Sequence, residues 1–290
     1  MEFAPNREKI IYRARDMRRD ILTMINKAGS GHPAGALGMA DVISTLYNSG
    51  LLKYDAKNPS WDERDIIILS NAHINPVYYS ALSFAGYFKH EELFTLRKIG
   101  SRLQGHPNNH FSGLGIENSG GPLGQGLSVA VGMALSMKLR GRNERKVYCF
   151  CSDGELNEGQ AWEAFMSASK YNLNNLIFII DRNNIQIDGT SDFVMPLEPL
   201  HEKIKSFGVD CLSVDGHDVD KIYTSLKYAS NKALSSSKSS TGESRFHNSP
   251  TALIMNTIPG KGVSFMENDC KWHGKSPSNE ELTLALEELQ

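Results

Sequence analysis

The residues best suited to chemistry follow two apolar stretches that flank one helical segment. Asp153 and Gly154 follow the apolar run at 146–151 after one intervening residue, Ser152, and Asn183 follows the apolar run at 176–181 after Arg182. If these runs are neighbouring parallel strands, both side chains meet at the carboxyl edge of a sheet, where ligands bind. A carboxylate and an amide oxygen are hard ligands that suit Mg²⁺ or Ca²⁺. Glycine permits close backbone approach, and the N-terminus of the next helix favours anions, so the pattern predicts a metal-bridged diphosphate site.

Each piece of this pattern also has a plain structural interpretation. Asp153-Gly154 is compatible with an ordinary turn, and Asn183 with the cap of a strand end. The Asn183-Asn184 pair after an apolar strand, combined with the Asp-Gly turn upstream, makes the functional interpretation more specific than either piece alone.

The elements that must position these residues alternate between helix and strand. Apolar spacing and short apolar runs predict helices at 7–28, 38–48, 76–85 and 158–170, and strands at 65–70, 146–151, 176–181 and 251–257. This alternation predicts an α/β fold, a mostly parallel sheet with helices on both faces. Residues 1–290 are interpreted as a single domain. The serine-rich stretch at 235–250 is predicted to be a flexible, solvated loop, with a regulatory or partner-binding role as the alternative.

Composition excludes several classes of protein. The chain has 290 residues, with 31 Lys+Arg against 33 Asp+Glu and a net charge of −2. This balance argues against nucleic acid or a membrane surface as a partner. The apolar runs are far shorter than the roughly 20 residues of a membrane span, and the charged N-terminus is unlike a signal peptide. The four cysteines form no Cys-x-x-Cys pair, and we expect a cytoplasmic, reduced protein.

Several further motifs, in order along the chain, resemble those of the transketolase family. They are SGHPAG at 30–35, LSNAH at 69–73, GHP at 105–107, GPLGQG at 121–126 and WHG at 272–274. The Asp-Gly turn and the Asn-Asn pair resemble the family's thiamine diphosphate motif. The resemblance covers nearly the whole chain. It implies a thiamine diphosphate-binding fold and the transfer of a two-carbon ketol unit from a ketose to an aldehyde.

The resemblance also implies which residues hold the cofactor. Asp153 and Asn183 would bind the cation (Mg²⁺, or alternatively Ca²⁺ or Mn²⁺) through their side chains, and Ile185 through its backbone carbonyl. Gly154 would contact the diphosphate through its backbone. The residues expected to line the aminopyrimidine and thiazolium rings are Gly121, Pro122 and Leu123.

Catalytic roles are implied in the same way. His32, His73, His106 and His273 would surround the reactive carbon of the cofactor, and His73 and His273 would also approach the diphosphate. Ketol transfer requires protons to move on and off hydroxyl groups, and imidazole titrates near neutrality. Glu158 would be the carboxylate that links this active site to its two-fold mate.

The chain departs from the family pattern at some motif positions and in length. Ser152 replaces the first glycine of Gly-Asp-Gly, and Asn71-Ala72 stands where many members have Lys-Gly. These changes leave the thiamine site intact and bear on the substrate shell. A full-length member continues into a pyrimidine-binding domain, which would supply the glutamate that protonates the aminopyrimidine ring, and we expect that domain on a separate subunit. The chain is therefore expected to be the N-terminal subunit of a split transketolase. It would act with a C-terminal subunit in an α2β2 assembly on sugars or sugar phosphates.

Other functions remain open at this point. One is a subunit of another thiamine diphosphate enzyme, similar to deoxyxylulose-phosphate synthase or to enzymes that use 2-oxoacids. Another is a non-catalytic cofactor-binding subunit, which the intact Asp153, Asn183 and four histidines argue against. A nicotinamide site at 121–126 is disfavoured because the order is not Gly-x-Gly-x-x-Gly and no strand leads into it.

Overall fold

A computed structural model describes residues 3–111, 113–234 and 248–290. The helices are α1 Arg7–Ala28, α2 Pro33–Gly38, α3 Ala40–Asn48, α4 Asn75–Ala85, α5 Gln125–Leu139, α6 Gly159–Lys170, α7 Ser191–Val194, α8 Leu200–Ser206, α9 Val219–Leu234 and α10 Asn279–Glu288. The strands are β1 Ile66–Leu69, β2 Val147–Ser152, β3 Leu176–Arg182, β4 Ile185–Gln186, β5 Gly189–Thr190, β6 Asp210–Asp215 and β7 Thr251–Asn256. Short 3₁₀ turns lie at Ala72–Ile74, His90–Thr95, Gly154–Asn157 and Cys270–His273. Of the loop predicted at 235–250, only 248–250 belong to the described residues.

Five strands form one parallel sheet in the order β1-β2-β3-β7-β6. Strands β2 and β3 are neighbours, with Ser152 opposite Asp181, so their carboxyl ends lie side by side. The predicted α/β fold with a mostly parallel sheet is confirmed. Strands β4 and β5 form a separate antiparallel hairpin whose turn is Ile187-Asp188.

Alternate residues of the central strands pack into two different hydrophobic clusters, which places helices on both faces. In β2, Tyr148 and Phe150 pack with residues of α1, α3, α4 and α9. Val147, Cys149 and Cys151 pack on the opposite face with residues of α5, α6 and α8. A strand buried on both faces carries a continuous apolar run, which is why the sequence predicted these strands.

Several elements differ from the prediction or escaped it. The helix predicted at 38–48 begins two residues later as α3, and the separate helix α2, which ends at Gly38, was not predicted. Strand β6 was missed because it lies at the sheet edge, where Ser213 and Asp215 are exposed and interrupt the apolar pattern. Helix α5 was missed because apolar residues also occupy its exposed side, including Val129 and Leu139, so no amphipathic stripe forms. Within the described ranges, no helix combines the length and apolarity that crossing a membrane requires.

Candidate functional site

A cavity of about 420 Å³ lies at the carboxyl ends of β2 and β3. This volume is within the range of small-molecule sites. The cavity brings together residues that the sequence analysis drew from seven separate segments. They are His32, His73, His106, Gly121, Leu123, Asp153, Gly154, Asn183, Ile185 and His273.

Two of the predicted site residues do not line this cavity. Pro122 lies between two lining residues, but its side chain is exposed. Glu158 is exposed at the N-cap of α6, outside the cavity wall. Pro122 and Glu158 are both exposed to solvent, so the structure does not bring them together with the other predicted site residues. Both side chains are accessible to a partner.

Asp153 is the only carboxylate among the predicted cation ligands, and it is 1% exposed. Its Oδ1 accepts the N–H of Gly154 at 2.7 Å. Its Oδ2 accepts the N–H of Asn184 at 2.7 Å and a guanidinium N–H of Arg182 at 2.9 Å. Burial raises the pKa of Asp153, whereas these hydrogen bonds favour the carboxylate and oppose that rise.

Asn183 is held by hydrogen bonds at both ends of its amide. Its Nδ2 donates to Oδ2 of Asp181 at 2.7 Å, and its Oδ1 accepts the N–H of Ile185 at 3.0 Å. Asp181 is fully buried and also accepts the hydroxyl of Thr257, and burial raises its pKa to about 7. Because Asp181 takes the NH₂ group, the network assigns the amide oxygen of Asn183 to the side of Ile185.

These residues fit a divalent cation bound together with a diphosphate. The donors are a carboxylate, an amide oxygen and a peptide carbonyl, which are the oxygen ligands that Mg²⁺ and Ca²⁺ prefer. A Cβ on Gly154 would lie 3.2 Å from Cγ of Gln186, so glycine keeps this part of the cavity open. In the described part of the chain, no three His, Cys, Asp or Glu side chains are grouped to hold a metal. A cation held by these residues would complete its coordination with oxygens of the diphosphate and of water.

Three of the four predicted histidines form a triangle in the cavity wall. The distance between ring centroids is 5.2 Å for His32 and His73, 5.6 Å for His32 and His273, and 5.5 Å for His73 and His273. Burial lowers the pKa of His32 to about 4 and that of His73 to about 3, and the neighbouring imidazoles contribute to both shifts. Nδ1 of His32 is buried without a hydrogen-bond partner among the described residues. The cavity therefore presents neutral imidazoles with a free ring nitrogen, as a polar ligand would require.

Glu155 is a buried site residue that the sequence analysis missed. It lines the cavity, is 0% exposed and accepts the hydroxyl of Ser70 and the N–H groups of Gly124 and Ser152, the last two at 2.6 and 3.3 Å. Burial raises its pKa to about 6. Its contacts tie together three motif segments. Because two of these segments are distant in sequence, no local pattern marks Glu155.

Arg97 was also missed, and it lies between the segments that carry His32 and His106. Its guanidinium donates to Oγ of Ser30 at 3.2 Å and to the carbonyl of Gly105 at 3.4 Å. Its Nε is buried with no partner in the described chain. Burial lowers the pKa of His106, and the positive charge of Arg97 lowers it further. Arg97 is thus a cation beside the histidines with hydrogen-bonding capacity to spare.

Comparison with known proteins gives matches over nearly the whole chain. Residues 8–289 match the family described as transketolase, thiamine diphosphate binding domain. A 6-deoxy-6-sulfo-D-fructose transketolase subunit from Clostridium sp. is 38% identical over 279 residues, covering 96% of this chain and 95% of that protein. An apulose-4-phosphate transketolase subunit from Actinobacillus succinogenes is 36% identical over 279 residues, with the same coverage of 96% and 95%.

Solved structures agree with these matches. Transketolase from Campylobacter jejuni superposes with a TM-score of 0.83 at 33% identity, covering 97% of this chain and 42% of that one. Transketolase from Leishmania mexicana gives a TM-score of 0.84 at 30% identity, covering 97% and 41%. The chain thus spans about two fifths of the length of these two solved proteins, while it matches almost all of the two subunits from Clostridium and Actinobacillus.

Proposed function

The chain belongs to the transketolase family through its thiamine diphosphate-binding domain, and on this premise we propose that it is one subunit of a two-subunit transketolase. The enzyme would transfer a two-carbon ketol unit from a ketose to an aldehyde. The observation that carries the proposal is the single cavity that joins Asp153, Asn183 and Ile185 to the triangle of histidines. It combines a cation–diphosphate site with proton-accepting groups.

The proposed cofactor is thiamine diphosphate with a divalent cation, Mg²⁺ or alternatively Ca²⁺ or Mn²⁺. When bound, the cofactor supplies the carbon nucleophile that takes up the ketol unit. Asp153 and Asn183 would hold the cation through side-chain oxygens and Ile185 through its carbonyl. Gly154 would let the diphosphate approach the backbone, and Gly121, with a φ of 148°, would leave room beside the ring of His106.

The histidines would move protons on the substrate hydroxyl groups. Burial lowers the pKa of His32 to about 4 and that of His73 to about 3, so both imidazoles are neutral at pH 7. His106 and His273 also have lowered pKa values because of burial. A neutral imidazole that receives the donor's hydroxyl proton can return it when the new ketose forms.

We further propose that the donor or acceptor carries an anionic group that Arg97 binds. Arg97 is positioned beside His32 and His106, and its Nε has no partner among the described residues. The two relatives from Clostridium and Actinobacillus are named for a sulfonated and a phosphorylated sugar. A sulfonate and a phosphate share the oxygens that a guanidinium recognises, so a sugar with either group is the proposed substrate class.

The partner would be a C-terminal subunit that carries the pyrimidine-binding domain, in an α2β2 assembly. Both relatives matched over their whole length are named as subunits. Exposed apolar side chains lie at the cavity mouth, on the turn of the β4–β5 hairpin and on α7 with its C-cap, and they offer a surface for such a partner; they are Leu123, Ile187, Phe193, Val194 and Met195. Phe193 alone is 81% exposed. The partner would cover this surface and supply the carboxylate that activates the aminopyrimidine ring.

A cytoplasmic location completes the proposal, since all four cysteines are free thiols.

Calorimetric titration of thiamine diphosphate into the protein, with Mg²⁺ and then with excess EDTA, tests the cofactor site. We expect binding with Mg²⁺ and loss of measurable binding with EDTA, because Asp153 and Asn183 contact the diphosphate only through the cation. Thiamine, which lacks the diphosphate, is the matched control and should bind weakly under both conditions. Equal affinity for thiamine diphosphate with Mg²⁺ and with EDTA would contradict the proposed site.

A further inference from the structure

Arg182, the last residue of β3, is enclosed by hydrogen-bond acceptors, and its side chain is 10% exposed. One guanidinium nitrogen donates to Oδ2 of Asp153 at 2.9 Å and to Oδ1 of Asn184 at 3.1 Å. The other donates to Oδ1 of Asp192 at 3.0 Å and to Oε1 of Glu198 at 3.2 Å. Arg182 is therefore fixed at the edge of the proposed cation site and cannot turn towards another ligand without breaking these bonds.

This arrangement changes the charge that an incoming cation meets. Asp153 is the one charged protein ligand of the proposed site, and its carboxylate is already paired with the guanidinium of Arg182. The other protein ligands, the amide of Asn183 and the carbonyl of Ile185, are neutral. Asp192 and Glu198 carry negative charge, but they lie on the far side of Arg182 and are largely exposed to solvent. The three proposed ligands and Arg182 together carry no net charge, so a divalent cation without a diphosphate gains little net attraction from them.

Arg182 also positions the backbone that carries Ile185. Asn184 has a left-handed φ of 57°. Its side-chain Oδ1 accepts hydrogen bonds from the guanidinium of Arg182 and from the backbone N–H of Asp192. Its backbone N–H donates to Asp153, and its carbonyl accepts the N–H of Ser191. The same arginine side chain thus neutralises the charged ligand and anchors the hairpin next to it.

Building on the proposed function, we infer that Arg182 makes cation binding depend on the diphosphate. Arg182 neutralises the charge with which Asp153 would attract the cation, and the negative charge of the diphosphate replaces it. The cation and the diphosphate therefore bind to this site together. Arg182 acts through Asp153 and through the hairpin, so it is a positioning residue. It has no covalent part in the reaction.

Titration of Mn²⁺ into the full chain, followed by electron paramagnetic resonance of the free ion, tests the inference directly. In the wild-type protein we expect Mn²⁺ to bind weakly alone and at least about 100-fold more tightly with saturating thiamine diphosphate. In Arg182→Gln we expect Mn²⁺ alone to bind about 10- to 100-fold more tightly than to wild type, because Asp153 is left unneutralised. Arg182→Lys keeps a positive charge beside Asp153, so the affinity for Mn²⁺ alone should remain within about threefold of wild type.

The direction of the change separates an electrostatic role from a merely structural one. Loss of a structural contact would weaken Mn²⁺ binding in both variants, whereas the inference predicts a gain in Arg182→Gln alone. Unchanged or weaker binding of Mn²⁺ by a folded Arg182→Gln variant would overturn it. Should that variant not fold, the wild-type comparison decides: Mn²⁺ bound equally well with and without the cofactor overturns the inference. If wild type fails to bind thiamine diphosphate even with Mn²⁺, the proposed function itself fails.

Discussion

The carboxylate of Asp153 accepts the backbone N–H of Asn184 at 2.7 Å, which ties the end of β2 to the turn that follows β3. The contact joins the two strand ends that carry the proposed cation ligands. It also holds in place the one carboxylate among the proposed cation ligands, since the amide of Asn183 and the carbonyl of Ile185 are neutral.

Replacing Asp153 by Ala should therefore abolish tight cofactor binding. Mutating a residue that only hydrogen-bonds to a metal ligand typically lowers metal affinity by about 10- to 100-fold. Loss of the one charged ligand itself should therefore lower the affinity for thiamine diphosphate with Mg²⁺ by more than about 100-fold. Isothermal titration calorimetry measures this. Asp192→Ala is the matched control, because it removes another carboxylate partner of Arg182 that is exposed and outside the proposed ligand set. Equal affinity in wild type and Asp153→Ala would contradict the assignment.

The second prediction concerns the proton-transferring role of His106 and His273. Substitution of either by Ala should lower kcat for ketol transfer by about 10²- to 10⁴-fold, the usual contribution of a general acid or base. Thermal unfolding should remain cooperative, because neither side chain is part of the hydrophobic clusters. His110→Ala is the control, since His110 is exposed and outside the cavity wall. Wild-type turnover in both cavity variants would leave these histidines with a structural role only.

The third prediction follows from the pKa of His32. Burial and the nearby His273 lower it from 6.5 to about 4. Between these values the unfolded chain binds more protons than the folded one, so His32 lowers the free energy of unfolding as pH falls from about 7 to about 5. The contribution is about 2 kcal/mol. Urea unfolding of the cofactor-free protein at both pH values should show a smaller loss for His32→Gln than for wild type. Equal losses in the two proteins would refute the assigned pKa.

The fourth prediction concerns substrate charge. Arg97→Gln should raise KM for a donor with a phosphate or sulfonate by about 10- to 100-fold, because a hydrogen bond to a charged group contributes about 1.5–3 kcal/mol. KM for a neutral ketose should change by less than about threefold. Lys98→Gln is the neighbouring control: its ammonium is exposed and hydrogen-bonded to the carbonyl of Lys27. Equal effects on charged and neutral donors would show that Arg97 merely positions the His106 segment.

The sequence predicted those parts of the fold that depend on local pattern. Strands β2 and β3 are buried on both faces, and their continuous apolar runs located them in the chain within one or two residues. The meeting of Asp153 and Asn183 at one sheet edge followed from these runs once the strands were taken as neighbours, since each residue lies two positions beyond the end of its run. Helix α1 was predicted with its observed ends because Gly29 stops it in a left-handed conformation.

The parts that escaped prediction depend on contacts between segments far apart in the chain. Glu155 is a site residue because Ser70 and Gly124 fold against it, and Arg97 because Ser30 and Gly105 lie beside it. A Glu or an Arg in a polar stretch is normally solvated, so residue type and spacing carry no such signal. The same holds for Arg182, whose importance comes from the carboxylates around it.

Ketol transfer by the purified chain, measured alone and together with a pyrimidine-domain subunit, decides whether this protein is half of a split transketolase. Ketoses with phosphate, sulfonate or neutral ends, labelled with ¹³C in the first two carbons, would be offered with an aldehyde in the presence of thiamine diphosphate and Mg²⁺. We predict no labelled product from the chain alone and labelled product, two carbons longer than the aldehyde, from a two-plus-two assembly. Labelled product from the chain alone, at a purity that excludes host transketolase, would contradict the proposed function. So would an assembled, cofactor-loaded complex that transfers no label from any donor.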